Sequence, residues 1–172
     1  MDLASKIRPI YDYPIDGIIF RDITTLLKDK AAFKEAIDKM AEAFYEEVDL
    51  IVGVEARGFI IGSAVAYAMG CGFVPVRKPG KLPSEKISSE YKLEYGTDSV
   101  EMHRDAIEKG QRVLIVDDLL ATGGTAGAVV NLVEELGGEV VGLNFLIELV
   151  DLNAREKLKG YNVKSVIKFK GD

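Results

Sequence analysis

The sequence holds a single cysteine, Cys71, and a single histidine, His103. One thiol excludes an intrachain disulfide and a zinc site built from cysteines, and it suits a reducing compartment. Within MGCGF, Cys71 reads as a small buried hydrophobe rather than a nucleophile. A lone histidine, read as a surface residue just after a predicted strand, gives little support to a histidine-based nucleophilic triad. Long hydrophobic runs are also missing: the longest near-apolar stretch, 58–70, is too short to span a bilayer. No signal peptide is read at the start, and a cytoplasmic location is expected. Positive charge is in deficit, with 22 Lys+Arg against 28 Asp+Glu and a net charge of −6. That balance disfavours bulk binding to nucleic acid or to a membrane surface. Two phosphate-binding strings are absent as well. Nothing matches G-x-x-x-x-G-K-[ST], and Gly123, Gly124 and Gly127 have the wrong spacing for G-x-G-x-x-G.

What is present is a core-forming chain. Hydrophobic residues make up 48% of 172, enough for one domain over 1–172 with a substantial core. The pattern predicts a short helix at 2–7, an irregular segment at 9–30 and an amphipathic helix at 31–47. A strand at 50–54, a helix at 59–69 and a strand at 73–76 follow. Residues 78–90, rich in Pro, Gly, Ser and charge, read as a mobile loop. Residues 91–95 and 99–102 suggest an antiparallel pair around Gly96. The remainder reads as a strand at 113–116, a helix to about 136, a strand at 140–147, a short helix at about 152–158 and a strand at 163–167. Strands alternating with helices predict an α/β fold: a mostly parallel twisted sheet flanked by helices. Residues 9–30 and the hairpin within about 78–102 break that rhythm and are expected to form a small hood and a flexible loop over a ligand crevice.

The stretch VLIVDDLLATGGT, 113–125, carries the strongest chemical signal. An apolar run ends in Asp117 and Asp118, at the carboxyl end of a strand, where open α/β sheets bind ligands. Ala121, Thr122, Gly123, Gly124 and Thr125 then supply backbone N–H groups and two hydroxyls at a helix start, which is an anion cradle. The acids cannot serve the same phosphate; they suit sugar hydroxyls or a metal beside it. The pattern describes a ribose 5-phosphate site. Arg57, in VEARG at another strand end, is aimed at the same crevice and suits a pyrophosphate group. Glu55 beside it is ambiguous and fits a role in holding the turn. Arg77, Lys78 and Lys81 add three cations at the base of the loop.

Four blocks together resemble the type I phosphoribosyltransferase family, and within it the branch that acts on adenine. They are YPIDGIIFRDIT (13–24), VGVEARGF (52–59), VRKPGKLP with YKLEYGTDSVEMHRDAI (76–83 and 91–107), and VLIVDDLLATGGT. The resemblance implies transfer of ribose 5-phosphate from phosphoribosyl pyrophosphate to adenine, with Mg²⁺, giving AMP and pyrophosphate. It implies Asp117 and Asp118 at the ribose hydroxyls and Ala121, Thr122, Gly123, Gly124 and Thr125 at the 5-phosphate. It places Arg57, Lys78 and Lys81 on pyrophosphate, with Arg77 as a helper. Ile19, Phe20 and Arg21 would line the base pocket, closed by Leu119 and Leu149. Glu94 would be the acid–base residue, with Tyr95 its neighbour. Mg²⁺ would be held mainly through substrate, with Asp117 and Asp118 as candidate ligands, and a homodimer with Arg57 near the subunit contact is implied. Two alternatives stand beside this reading: a related enzyme for xanthine, hypoxanthine or orotate, and a non-catalytic sensor of phosphoribosyl pyrophosphate that binds nucleic acid. The acidic balance disfavours the sensor.

Overall fold

The structure is a computed structural model and describes residues 1–93 and 95–171. Five parallel strands form the central sheet: β3 (Leu50–Val54), β4 (Gly72–Val76), β7 (Arg112–Leu120), β8 (Glu139–Leu149) and β9 (Val163–Phe169), in the order β4-β3-β7-β8-β9. β7 lies at the centre of the sheet and reads as an unbroken apolar run because both of its faces are covered. Leu114 and Val116 pack against α2 (Lys30–Glu42) and α3 (Arg57–Met69), alongside Ile37, Met40, Ile61 and Val65. Val113 and Ile115 face the other way, with Val129, Val130 and Val133 of α4 (Gly124–Glu135). The expected mostly parallel sheet with flanking helices is the observed architecture.

The strand order places a topological switch between β3 and β7. The connection leaving β3 runs through α3 on one face, and the one leaving β7 runs through α4 on the other. A crevice opens where two such connections diverge. The pairing register sharpens it. β3 pairs with β7 only as far as Gly53 opposite Val116, whereas β7 stays paired with β8 to Leu120. Beyond Val116 one side of β7 faces the crevice.

Several local expectations are corrected. The strand carrying the acids does not stop at 116; its pairing with β8 carries it through both of them. Residues 9–30 are more ordered than expected. β1 (Arg8–Tyr11) pairs antiparallel with β2 (Ile19–Asp22), and a one-turn α1 (Thr24–Leu27) follows. Helix α2 ends at Glu42 rather than 47; Phe44, just beyond it, is buried in the core. Asp29 caps its start, accepting from the amides of Ala31 and Ala32 at 3.1 Å. The loop expected at 78–90 gives way at Lys86 to a strand. β5 (Lys86–Lys92) pairs with β6 (Thr97–His103) in a hairpin longer than the sequence suggested. Ile87, Val100 and Met102 bury this hairpin against the α4 side of the core. Two 3-10 turns, Val150–Leu152 and Ala154–Glu156, replace the expected helix near 152–158. Cys71 is half-buried, and its thiol donates to the Val48 carbonyl at 3.2 Å.

One ion pair ties the hood together. Asp22 accepts from the Thr24 hydroxyl at 2.7 Å and amide at 2.9 Å, and from Arg8 Nε at 2.9 Å. Its side chain is 9% exposed. The Thr24 hydrogen bonds, assisted by Arg8, hold its carboxyl at about 2, below the usual 3.8. A lowered folded-state pKa adds stability above the unfolded value, and that stability disappears as pH falls through the folded value. Asp22→Asn is therefore expected to lower unfolding free energy by about 1–2 kcal/mol at pH 7. The difference from the parent should shrink as the pH is lowered from about 4 to about 2 in denaturant titrations.

Candidate active site

A cavity of about 290 Å³ lies at the switch point. One wall comes from the end of β3 and the start of α3, through Val54, Glu55, Ala56 and Arg57. The other comes from the end of β7 and the start of α4, running from Asp117 to Ala126, and Lys78 and Phe145 complete it. The peptide bond between Glu55 and Ala56 is cis.

Asp117 and Asp118 are adjacent, so their side chains leave opposite faces of the strand. Asp118 is buried and meets Arg57, with Nε to Oδ2 at 2.9 Å. Asp117 accepts from the Asp118 amide at 2.9 Å and packs against the first turn of α3. That approach requires glycine at position 58, where a Cβ would stand 2.5 Å from Asp117 Oδ1. Burial, and then the charge of Asp118, push the Asp117 carboxyl well above the ordinary carboxylate range; Arg57 offsets only part of this.

The turn after β7 is shaped for close approach. Gly123 takes φ +91°, a left-handed conformation that glycine adopts without strain, and it caps α4 with no side-chain hydrogen bond. The first amides of α4 thus face the cavity, with the positive end of the helix dipole behind them. Thr122 and Thr125 line the same rim. Tyr91 of β5 packs over this helix start, 3.2 Å from where a Gly124 Cβ would lie.

The cations are all engaged with carboxylates. Lys81 Nζ lies 2.8 Å from Glu55 Oε2, and Arg77 Nε lies 3.3 Å from Glu55 Oε1. Lys78 Nζ reaches Asp98 of β6 at 2.6 Å and the Tyr91 hydroxyl at 3.0 Å. Burial raises the Glu55 carboxyl, but Lys81, the Lys78 amide and Arg77 outweigh it and hold the group below the usual range.

The structure gathers part of the residue set read from the sequence. Arg57, Lys78, Asp117, Asp118, Leu119 and the 121–125 turn share one cavity. Phe20 of the hood stacks near it, its ring 5.0 Å from the Arg57 guanidinium carbon. Ile19, Arg21, Leu149, Arg77, Lys81 and Tyr95 do not line it. Arg21 instead lies over the Phe169 ring at 4.0 Å, at the end of β9, and Leu149 packs on the α2–α3 side of the core. Tyr95 is exposed in the turn between β5 and β6. Glu94 lies outside the described residues. Sequence reasoning missed Asp98 and Tyr91, which are directly opposed in the hairpin register. A turn placed at 93–96 would have paired them.

Among the described residues no cluster of three or more His, Cys, Asp or Glu side chains could hold a metal. The two adjacent carboxylates are hard oxygen donors at a phosphate-type cavity. That set fits a magnesium ion shared with substrate phosphates, which commonly takes only one or two protein carboxylates. It does not fit a closed structural metal site.

The phosphoribosyl transferase domain profile matches residues 23–172. An adenine phosphoribosyltransferase from Alkaliphilus metalliredigens is 62% identical over 170 residues, covering 98% of this chain and all of that one. The crystal structure of adenine phosphoribosyltransferase from Thermoanaerobacter pseudethanolicus superimposes with a TM-score of 0.95 at 56% identity, covering 98% of each chain. The chain belongs to the adenine phosphoribosyltransferase family. The Saccharomyces cerevisiae family member, solved with an imino-altritol bisphosphate and adenine, is 41% identical with a TM-score of 0.90, over 95% of this chain and 96% of that one.

A raised Asp117 pKa means that the folded state resists ionisation there. Stability contributed by this group is then highest below the ordinary carboxylate range and falls as pH rises toward the folded value. Asp117→Asn should remove the repulsion with Asp118 and keep the acceptor for the Asp118 amide. Thermal unfolding at pH 7 is expected to show a gain of about 1 kcal/mol, with activity sharply reduced, as for other strained functional sites.

Proposed function

We infer that this chain transfers the 5-phosphoribosyl group from phosphoribosyl pyrophosphate to adenine, forming AMP and pyrophosphate in purine salvage. The observation that carries the site assignment is the single cavity shared by the acid pair, the start of α4 and Arg57. It suits a ligand with an anion at each end and hydroxyls between. In this reading the 5-phosphate takes the amides and hydroxyls of residues 121–125, and the ribose hydroxyls take Asp117 and Asp118. Pyrophosphate takes Arg57, Lys78 and Lys81, with Arg77 assisting.

The reaction breaks the bond from the anomeric carbon to a pyrophosphate oxygen and forms one to a ring nitrogen of adenine. The sugar becomes cation-like on the way. The protein's work is positioning, charge stabilisation and exclusion of water. In this reading the acid pair stabilises the cation-like sugar electrostatically as positive charge develops. Arg57 and the loop lysines stabilise the departing anion. A bound magnesium ion would neutralise and template the pyrophosphate, with Asp117 and Asp118 as its protein donors.

Phe20, with Ile19 and Arg21 beside it on β2, supplies the wall for the base, and Leu119 closes it from β7. Leu149 is assigned to the same pocket from the sequence resemblance. The attacking nitrogen of adenine must lose a proton, and Glu94, with Tyr95 next to it, is assigned that task. Glu94→Gln is expected to lower kcat by ~10²–10⁴-fold while leaving the affinity for phosphoribosyl pyrophosphate within about threefold, read by steady-state and equilibrium binding assays.

A homodimer and a cytoplasmic location complete the proposal. Ile60 and Tyr67, 45% and 91% exposed, lie on one outer stripe of α3, the helix that begins with Arg57. No described helix is long and apolar enough to cross a membrane. The reading is tested by mixing protein, phosphoribosyl pyrophosphate and Mg²⁺ with adenine, hypoxanthine, guanine, xanthine and orotate, and resolving the nucleotides formed. AMP is the expected dominant product. A different nucleotide would overturn the assignment of β2 as an adenine wall, and binding without any product would favour a sensor.

A further inference from the structure

We propose that Glu55 is a positioning residue that parks the pyrophosphate-binding cations in the free protein and releases them when pyrophosphate arrives. The proposal rests on the assignment of Lys81 and Arg77 to pyrophosphate made above. Glu55 follows β3 directly, and its carboxylate is 12% exposed at the cavity wall. Both oxygens are in use. Oε1 accepts the Lys78 amide at 2.7 Å and Arg77 Nε at 3.3 Å; Oε2 accepts Lys81 Nζ at 2.8 Å.

These contacts do two separable things. The bond from the Lys78 amide fixes the loop backbone to the end of β3 and does not depend on what the cations do. The two ion pairs hold side chains that pyrophosphate would need. Lys81 is about half exposed on a flexible four-carbon stem, so its ammonium can leave Glu55 without moving the backbone. A multiply charged anion entering the cavity competes directly with one carboxylate for Lys81 and Arg77. The same carboxylate, retained on the wall, repels that anion. Glu55 therefore weakens pyrophosphate binding while keeping the cations oriented, and it favours release of the product. Lys78 has a parallel arrangement on Asp98 and Tyr91, which ties the hairpin to the same exchange.

Glu55→Gln keeps an acceptor for the Lys78 amide and removes the charge. The Kd of magnesium pyrophosphate, measured by calorimetry, should fall roughly two- to fivefold, the range for a partly exposed ion pair. KM for phosphoribosyl pyrophosphate should fall with it, and kcat should not rise. In a Lys81→Ala background the effect of Glu55→Gln should largely vanish, because the two side chains act as one pair. An unchanged Kd, or a higher Kd with a lower Tm, would show a purely structural glutamate and overturn the proposal. Lys81→Ala alone tests the underlying assignment: if it leaves pyrophosphate affinity intact, Lys81 is not a pyrophosphate ligand. A weaker Kd in Lys81→Ala with no effect of Glu55→Gln sinks the parking role alone. Should Glu55→Gln not fold, carboxylate ¹³C NMR of the unaltered protein decides. The Glu55 resonance should move as pyrophosphate saturates, with its titration midpoint rising toward the ordinary carboxylate range, and a resonance that stays fixed refutes the exchange.

Discussion

Two acidic side chains, Asp117 and Asp118, occupy adjacent positions on the central strand at the point where its pairing with β3 ends. A carboxylate pair in that position is unfavourable for folding, since burial and mutual repulsion both oppose ionisation. The surroundings are arranged around that burden. Arg57 is delivered to Asp118 by the first residue of α3, and the missing side chain at Gly58 lets Asp117 lie against the same turn. The parallel sheet supplies the compensating stability, because its central strand is covered on both faces by helices and their apolar side chains. A shallower sheet edge would hydrate the acids and relieve the repulsion. It would also deprive them of the low-dielectric setting in which their charge acts most strongly.

The cations around the cavity show the complementary pattern. Arg57 meets Asp118, Lys81 and Arg77 meet Glu55, and Lys78 meets Asp98. The cations in these pairs are a third to a half exposed, so solvent screens much of each attraction and the pairs add little to stability. Their value is orientation. Long basic side chains left in solvent sample many rotamers, and ordering them at the moment of binding costs conformational entropy. Holding them on carboxylates orders them beforehand. The arrangement is also compatible with the proposed anionic ligand in an acidic chain, because the local balance of charge, not the net charge, governs the cavity.

The sheet and the small-residue turn that lines the cavity were legible in the sequence because each has a local cause. A strand buried on both faces must be apolar throughout, as 113–116 is, and a turn that exposes amides to an anion must use small residues, as 121–125 does. The extension of β7 through its two acids was not legible, because it depends on pairing with β8 beyond the reach of β3. The hood strands were missed for a similar reason. Short strands in a two-stranded sheet carry little periodicity, and here a non-local Arg8–Asp22–Thr24 cluster fixes them. The hairpin was placed too late by several residues, which hid the Tyr91–Asp98 pairing that engages Lys78. Glu55 was ambiguous because its partners lie 22–26 residues away in the chain.

The switch in strand order accounts for the kind of ligand that the crevice can take. β3 and β7 are neighbours, roughly 5 Å apart, yet the helices that follow them leave on opposite faces of the sheet. One strand end therefore delivers Arg57 and the Glu55-anchored loop, and the other delivers the amides of the α4 start. Two elements with the chemistry to bind anions line one cavity together with the acid pair on β7. In the proposed reading, a ligand with a single phosphate engages only one of the two elements. A ligand with an anion at both ends engages both elements at once, so the second contact forms intramolecularly, at a lower entropic cost than the first. In that reading, hydroxyls on the intervening sugar meet the acids. On those assignments, discrimination in favour of a doubly anionic sugar follows from topology before any contact with the base is made, and Phe20, 5.0 Å from Arg57, would add its selection to a ligand already aligned.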